Sequence, residues 1–143
     1  MNEVFVDTSG WASFFLEDDR HHAKAFSLIA QWKQQNRPVI TTNYVLSELI
    51  VLLSGSRGQQ RLAVLNYIET IRSADWIEIV HIDESLDEKA WQLLANRLDK
   101  EWSLVDSVSF VVMQERSLME ALTADHHFEQ AGFVCLLKQC GYS

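Results

Sequence analysis

At 143 residues, 48% of them hydrophobic and only one a proline, the chain suits a single globular domain over 1–143; a disordered or fibrous protein is excluded. Twenty acidic against twelve basic residues give a net charge of −8, which argues against a general nucleic-acid binder with a basic face. It leaves room for an enzyme that meets phosphates through a bound cation.

In chain order, Val4-Phe5-Val6 reads as a short buried strand ending at Asp7, and Thr8-Ser9 leads into an apolar helix from Gly10 to Leu16. In open α/β sheets the carboxyl ends of the strands are where ligands bind, so Asp7 stands at a candidate site edge. Glu17-Asp18-Asp19-Arg20 breaks the helix with solvated charge, and His21-His22 begins another, with Ala25, Phe26, Ile29 and Trp32 at helical spacing. Pro38 stops it before a second strand, Val39-Ile40-Thr41; Asn43 is a candidate cap for a helix from Tyr44 to Leu53, which Ser54-Gly55-Ser56 ends. Leu62, Leu65, Ile68 and Ile71 mark one face of the next helix, and Ile77 to Ile82 reads as a third strand. Leu86, Ala90, Leu93 and Leu94 give an amphipathic helix, and Leu104 to Met113 a largely apolar one. Ala121-Leu122-Thr123 is a fourth strand and Phe133 to Leu137 a fifth. Strands alternating with helices favour an α/β protein with a parallel-type sheet.

No apolar run approaches the ~18 residues of a membrane span, and Met1-Asn2-Glu3 lacks the basic start and long apolar core of a signal peptide. The expected location is therefore the cytoplasm, where Cys135 and Cys140 are reduced thiols. No second Cys/His pair stands at finger-like spacing, which disfavours structural zinc.

Four carboxylates stand alone in apolar or polar-neutral stretches: Asp7, Glu48, Asp106 and Asp125. A carboxylate is almost never fully buried without a partner, yet no basic residue lies in any of the four stretches. Each reaches solvent independently, or all converge on a shared cation. Two carboxylates about 4 Å apart repel by ~4 kcal/mol at an effective dielectric of 20, and a hard divalent ion such as Mg²⁺ or Mn²⁺ relieves that repulsion with oxygen ligands. The plain alternative at each position is local: Asp7 and Asp125 capping the helices that follow, Asp106 capping a helix from Ser107, and Glu48 on a thin polar stripe beside Ser47.

These residues sit in segments that resemble a PIN domain, and within that group the VapC-type ribonuclease toxins. The segments are Phe5-Val6-Asp7-Thr8-Ser9, Thr41-Thr42-Asn43-Tyr44-Val45-Leu46-Ser47-Glu48, Ser103-Leu104-Val105-Asp106 running on to Met113, and Leu122-Thr123-Ala124-Asp125-His126-His127-Phe128 with Gly132-Phe133. The resemblance implies a three-layer α/β/α fold with a central, mostly parallel five-stranded sheet. It also implies an acidic metal site of Asp7, Glu48, Asp106 and Asp125, supported by the hydroxyls of Thr8 and Thr123. The activity that follows is metal-dependent cleavage of RNA, using Mg²⁺ or Mn²⁺, by the toxin of a toxin–antitoxin pair. Asp7 and Asp106 are then the direct ligands. Asp125 binds the same ion or a second one, or acts through water, and Glu48 binds a second ion or orients the attacking water. A homodimer and a cognate antitoxin covering the site belong to the same implication.

Other residues have plainer readings. Arg57 and Arg61 flank a Gly-containing turn and could meet phosphates, but a solvated helix start is the simpler account. His126 and His127 sit beside Asp125, where a catalytic role is conceivable, but surface or packing roles are the simpler account. Trp11, Phe14, Phe15 and Leu16 are core, or a surface for a partner helix. Two rivals remain. A phosphorylated receiver module wants paired acids after its first strand, where only Asp7 stands. A catalytically weak or inactive PIN-type metal-binding interaction domain would share this sequence pattern, and an RNA-cleavage assay separates it.

Overall fold

The computed structural model describes residues 2–138, so Cys140 lies outside the described residues. Its sheet is organised around β1 (Val4–Val6), whose three residues are all fully buried. β1 pairs in parallel with β2 (Val39–Thr42) on one side and β4 (Glu120–Leu122) on the other. β3 (Ile77–Val80) extends the sheet beyond β2, and β5 (Val134–Cys135) extends it beyond β4. The order is β3-β2-β1-β4-β5 with every pairing parallel. Interior parallel strands are covered on both faces, which is why β1 and β2 read as nearly unbroken apolar or β-branched runs.

Parallel neighbours need crossover connections, and these carry the helices. α1 (Thr8–Phe15) and α2 (His22–Gln34) join β1 to β2; α3 (Asn43–Ser54) and α4 (Arg61–Ser73) join β2 to β3. α5 (Glu84–Asn96) and α6 (Leu104–Glu115) lead back to β4, and α7 (His126–Gln130) to β5. Right-handed crossovers put α1 to α4 on one face and α5 to α7 on the other, giving the three-layer α/β/α arrangement.

The elements follow the sequence reading with definite departures. The first helix starts at Thr8, two residues early, because the Asp7 side chain caps it by accepting from the Gly10 N–H. The cap of α3 is Thr42, whose hydroxyl accepts from the Val45 N–H, and not Asn43. The Asn43 amide oxygen instead accepts from the Ile82 N–H, which lies past the end of β3; that strand stops at Val80 rather than at Ile82. The fourth and fifth strands are also shorter or shifted, at Glu120–Leu122 and Val134–Cys135. α4 buries Val64, Ile68 and Ile71 and leaves Leu62 and Leu65 exposed, so the latter two do not share the inward face. Trp11 is core: its indole N–H donates to the Thr41 hydroxyl, which donates in turn to the Val6 carbonyl. Phe14 and Phe15 are half-buried, stacked on Phe26 of α2 and Tyr67 of α4. Cys135 is a buried free thiol, which burial pushes up to about 12.

Charge is distributed unevenly between the two edges of the sheet. At the amino edge, Arg37 bonds the Asn2 carbonyl and pairs with Glu120 at 2.7 Å. Arg116 pairs with Glu78 at 2.6 Å and Glu3 at 3.3 Å, so two arginines tie down the starts of β1, β3 and β4. A depression of about 570 Å³ opens there, but its lining charges pair with one another. At the carboxyl edge, Arg57 pairs with Asp19 at 3.1 Å, joining the turn after α3 to the turn after α1; it is not a free helix-start cation.

α1 reaches the sheet through Gly10. A Cβ there would lie 2.1 Å from the Leu122 carbonyl oxygen of β4. Replacing Gly10 by alanine must push the start of α1 away from the sheet, a strain of the kind that costs ~1–3 kcal/mol or more. Urea unfolding of Gly10→Ala should show that loss as a lowered midpoint, and an unchanged midpoint would contradict the close approach.

Candidate active site

The strand order reverses at the centre of the sheet: β2 and β3 are added on one side of β1, β4 and β5 on the other. Such a switch point opens a crevice at the carboxyl ends of the strands. Asp7 follows β1 and Asp125 follows β4, so these two flank it directly. Glu48 enters from the second turn of α3 and lines the same cavity of about 520 Å³ with Asp7, Thr8, Ser9 and Asp125. Asp106, on the first turn of α6, joins through His127, whose ring Nδ1 is 2.9 Å from Asp106 Oδ2 and 3.5 Å from Asp125 Oδ1. All four carboxylates are thus brought to one place by four different elements.

Each carboxylate is held mainly through one oxygen. Asp7 Oδ1 accepts from the Gly10 N–H and the Ser9 hydroxyl, both at 2.9 Å, while Oδ2 accepts only from the Thr123 hydroxyl at 2.8 Å. Asp106 Oδ2 accepts from the Ser103 N–H at 3.0 Å and faces His127 Nδ1, and among the described residues no donor reaches Oδ1. Asp125 Oδ1 accepts from the His127 N–H at 2.9 Å. Glu48 Oε1 accepts from the Thr8 hydroxyl. Thr123 also accepts from the Asp125 N–H at 2.9 Å, so one hydroxyl spans Asp7 and the Asp125 backbone. The free oxygens form an all-oxygen donor set, which suits a hard divalent cation.

The helix-cap account is also correct in part. Asp7 caps α1 and Asp125 caps α7. Asp106 does not cap a helix from Ser107: α6 begins at Leu104 on the Ser103 cap, and Asp106 closes the capping box as its fourth member. Capping engages Oδ1 of Asp7 and of Asp125 and the capping box engages Oδ2 of Asp106, while Asp7 Oδ2 accepts only from Thr123.

The electrostatics carry the cost of this grouping. Burial pushes Asp7 up to about 7, against hydrogen bonds from Gly10, Thr123 and Ser9 that favour its charged form; the nearby Asp125 charge adds to the rise. Burial likewise raises Asp106, with Asp125 adding to it and the Ser103 N–H and His127 opposing. Glu48 is raised by burial and by the Asp106 and Asp125 charges, against the Thr8 bond. Among the described residues no lysine or arginine pairs with any of the four. Without a cation the cluster therefore favours holding protons.

Two contributors were not singled out from sequence. Ser9 bonds Asp7, faces Thr123 at 3.2 Å and accepts from the Ala124 N–H, so it ties the β1 and β4 ends together. His127, for which a surface or packing role is the simpler account from sequence, has its ring between two carboxylates. Asp125, His126 and His127 also form a compact group with ligand atoms within 4.8 Å of one another.

The raised Asp7 makes metal-free stability depend on pH. The folded protein keeps the Asp7 proton up to about 7, whereas an unfolded chain releases it near 3.9. The folded state binds more protons in that window, so stability falls as pH rises through it and levels off above. The gap is worth on the order of 4 kcal/mol as an upper bound. Asp7→Asn keeps an oxygen acceptor for the cap and has no proton to lose. Its metal-free melting temperature should gain on wild type from about pH 4.5 to about pH 8. A difference that stays flat over that range would contradict the burial of an ionisable Asp7.

The model of the PIN domain family matches residues 4–134. The chain is 36% identical over 131 residues to the 23S rRNA-specific endonuclease VapC20 of Mycobacterium tuberculosis, in both strain CDC 1551 and strain H37Rv, an alignment covering 92% of this chain and 95% of the relative. The crystal structure of Mycobacterium tuberculosis VapC20, a sarcin-ricin loop cleaving toxin, superposes with a TM-score of 0.80 at 34% identity, covering 92% of this chain and 96% of that one. With the acidic crevice at the switch point of a parallel sheet and a family match along nearly the whole chain, this protein belongs to the PIN domain family.

Proposed function

We propose that residues 1–143 form one PIN domain that acts as a divalent-metal-dependent endoribonuclease, the toxin of a toxin–antitoxin pair. The observation that carries this reading is the crevice itself: four carboxylates from four elements, tied down mainly through one oxygen each. The likeness to a 23S rRNA-specific endonuclease supports RNA as the substrate class.

Asp7 and Asp106 are assigned as direct ligands of Mg²⁺ or Mn²⁺. Asp125 serves the same ion or a second, and Glu48 binds a second ion or orients the attacking water. A bound cation supplies an acidified water and positive charge for the oxygens on which charge develops during phosphodiester hydrolysis. The chain's part is to fix the ligand oxygens in advance. Thr123 and Ser9 hold Asp7, Thr8 holds Glu48, and Ser103 holds Asp106. No nucleophilic side chain is required. The reaction is therefore expected in Mg²⁺ or Mn²⁺ and lost in excess EDTA. Asp106→Asn should reduce the cleavage rate by at least ~100-fold, the upper range for disturbing residues that merely support metal ligands. Undiminished cleavage by pure protein in EDTA, or by Asp106→Asn, would remove the metal assignment.

The protein's setting follows from the same reading: a cytoplasmic toxin that forms a homodimer and binds a cognate antitoxin. Among the described residues no helix is long and apolar enough to cross a membrane. Val51, beside the acidic cavity, is 71% exposed, and Leu62 and Leu65 of α4 are exposed as well, apolar area that suits a protein partner. Sedimentation at about 20 µM, above typical dimer dissociation constants, should give the mass of two chains. A single-chain mass at that concentration counts against the dimer.

A further inference from the structure

We infer that His127 is a positioning residue that locks Asp106 and Asp125 into a common geometry, a reading that rests on the metal site proposed above. α7 starts on the Asp125 cap, and His127 is its second residue. The His127 backbone N–H donates to Asp125 Oδ1 at 2.9 Å, and its ring Nδ1 lies 2.9 Å from Asp106 Oδ2. An ionised carboxylate only accepts, so Nδ1 is the donor in this bond. One residue therefore binds a carboxylate on its own helix with its backbone and a carboxylate 21 positions away on α6 with its ring.

The consequence lies in Asp106. Its Oδ2 takes two donors, the Ser103 N–H from within α6 and the His127 ring from across the crevice. Two donors on one oxygen fix the rotation of the carboxylate plane and reserve Oδ1 for a ligand. With the Ser103 bond alone, nothing in the site would set Asp106 against Asp125. The His127 N–H also places partial positive charge beside two carboxylates, at 2.9 and 3.5 Å, which offsets their repulsion before a cation arrives. Its side chain is 20% exposed, held by these contacts, whereas the neighbouring His126 is 62% exposed and 3.7 Å from Asp125 Oδ1. His127 does not fit a ligand through Nδ1, because that nitrogen already serves Asp106, and the oxygen-rich set suits a hard cation.

Two replacements separate the ring nitrogens. Asparagine places its amide nitrogen near the Nδ1 position, and glutamine places its own near Nε2. Every variant keeps the backbone N–H, so the cap of α7 persists. We would titrate metal-free wild type, His127→Ala, His127→Gln, His127→Asn and His126→Ala with Mn²⁺ by calorimetry, beside melting curves and RNA-cleavage kinetics. His127→Ala and His127→Gln should weaken Mn²⁺ binding by ~10–100-fold, the range for residues that orient metal ligands. Their kcat should fall with little change in KM. His127→Asn should recover most of the Mn²⁺ affinity, and His126→Ala should bind Mn²⁺ like wild type. Rescue by glutamine but not asparagine would overturn the proposal in favour of an Nε2 role, and equal Mn²⁺ affinity in all variants would remove His127 from the site. If wild type binds Mn²⁺ with this pattern but does not cut RNA, the nuclease reading falls and the positioning role stands. If wild type cuts RNA and the variants are all alike, the nuclease reading stands and the positioning role falls. A wild type that does not bind Mn²⁺ removes both.

Discussion

The structure depends on holding four like charges in one crevice. A pair of carboxylates about 4 Å apart repels by ~4 kcal/mol at an effective dielectric of 20, and several such pairs would rival the whole stability of a small domain, ~5–15 kcal/mol. The fold meets this constraint by anchoring three of the carboxylates to the helix starts beside them and the fourth across the crevice. Asp7 is anchored to the first turn of α1, Asp125 to α7 and Asp106 to the start of α6; Glu48 is anchored across the crevice by Thr8. The rigid support beneath is the parallel sheet, whose central strand is fully buried.

Capping and site-building are therefore the same bonds. A helix start has N–H groups without partners, and a carboxylate has two oxygens. Giving one oxygen to the helix satisfies the backbone and orients the other. This explains why Asp7 and Asp125 cap helices and still face the crevice. It also explains why Thr8, Ser9 and Thr123 stand next to the carboxylates in sequence. Short hydroxyl side chains reach across one strand spacing, from β1 to β4 and from α1 to α3.

Much of this was legible in the sequence because it is local. The buried run Val4-Phe5-Val6, the alternation of strands and helices, and the solitary carboxylates are all read within a few residues. What was not legible depends on residues far apart. Asn43 looks like a cap until Ile82, 39 positions later, takes its amide oxygen, leaving the cap to Thr42. Leu62 and Leu65 fit a helical period, but α4 is turned to bury Val64, Ile68 and Ile71 against the sheet layer. Arg57 looked like a solvated cation, and its partner Asp19 lies on another turn. His127 beside Asp125 was visible, but its ring's partner on α6 was not.

The arginines at the amino edge shape the protein's surroundings as well as its strands. Arg37 and Arg116 neutralise Glu120, Glu3 and Glu78 there, while at the opposite edge Arg57 pairs with Asp19 and the four crevice carboxylates have no lysine or arginine partner among the described residues. The pairing is thus lopsided: these acids at one edge are matched by arginines, and the crevice carboxylates at the other are not. A crevice lined by charges of one sign concentrates counter-ions and repels polyions of the same sign. Dissolved salt shortens the reach of both effects, since the screening length is about 8 Å at physiological ionic strength. Proteins that bind nucleic acid through many cations lose affinity steeply as salt rises. At a crevice lined by carboxylates the same rise also weakens the repulsion of a polyanion, which opposes that loss.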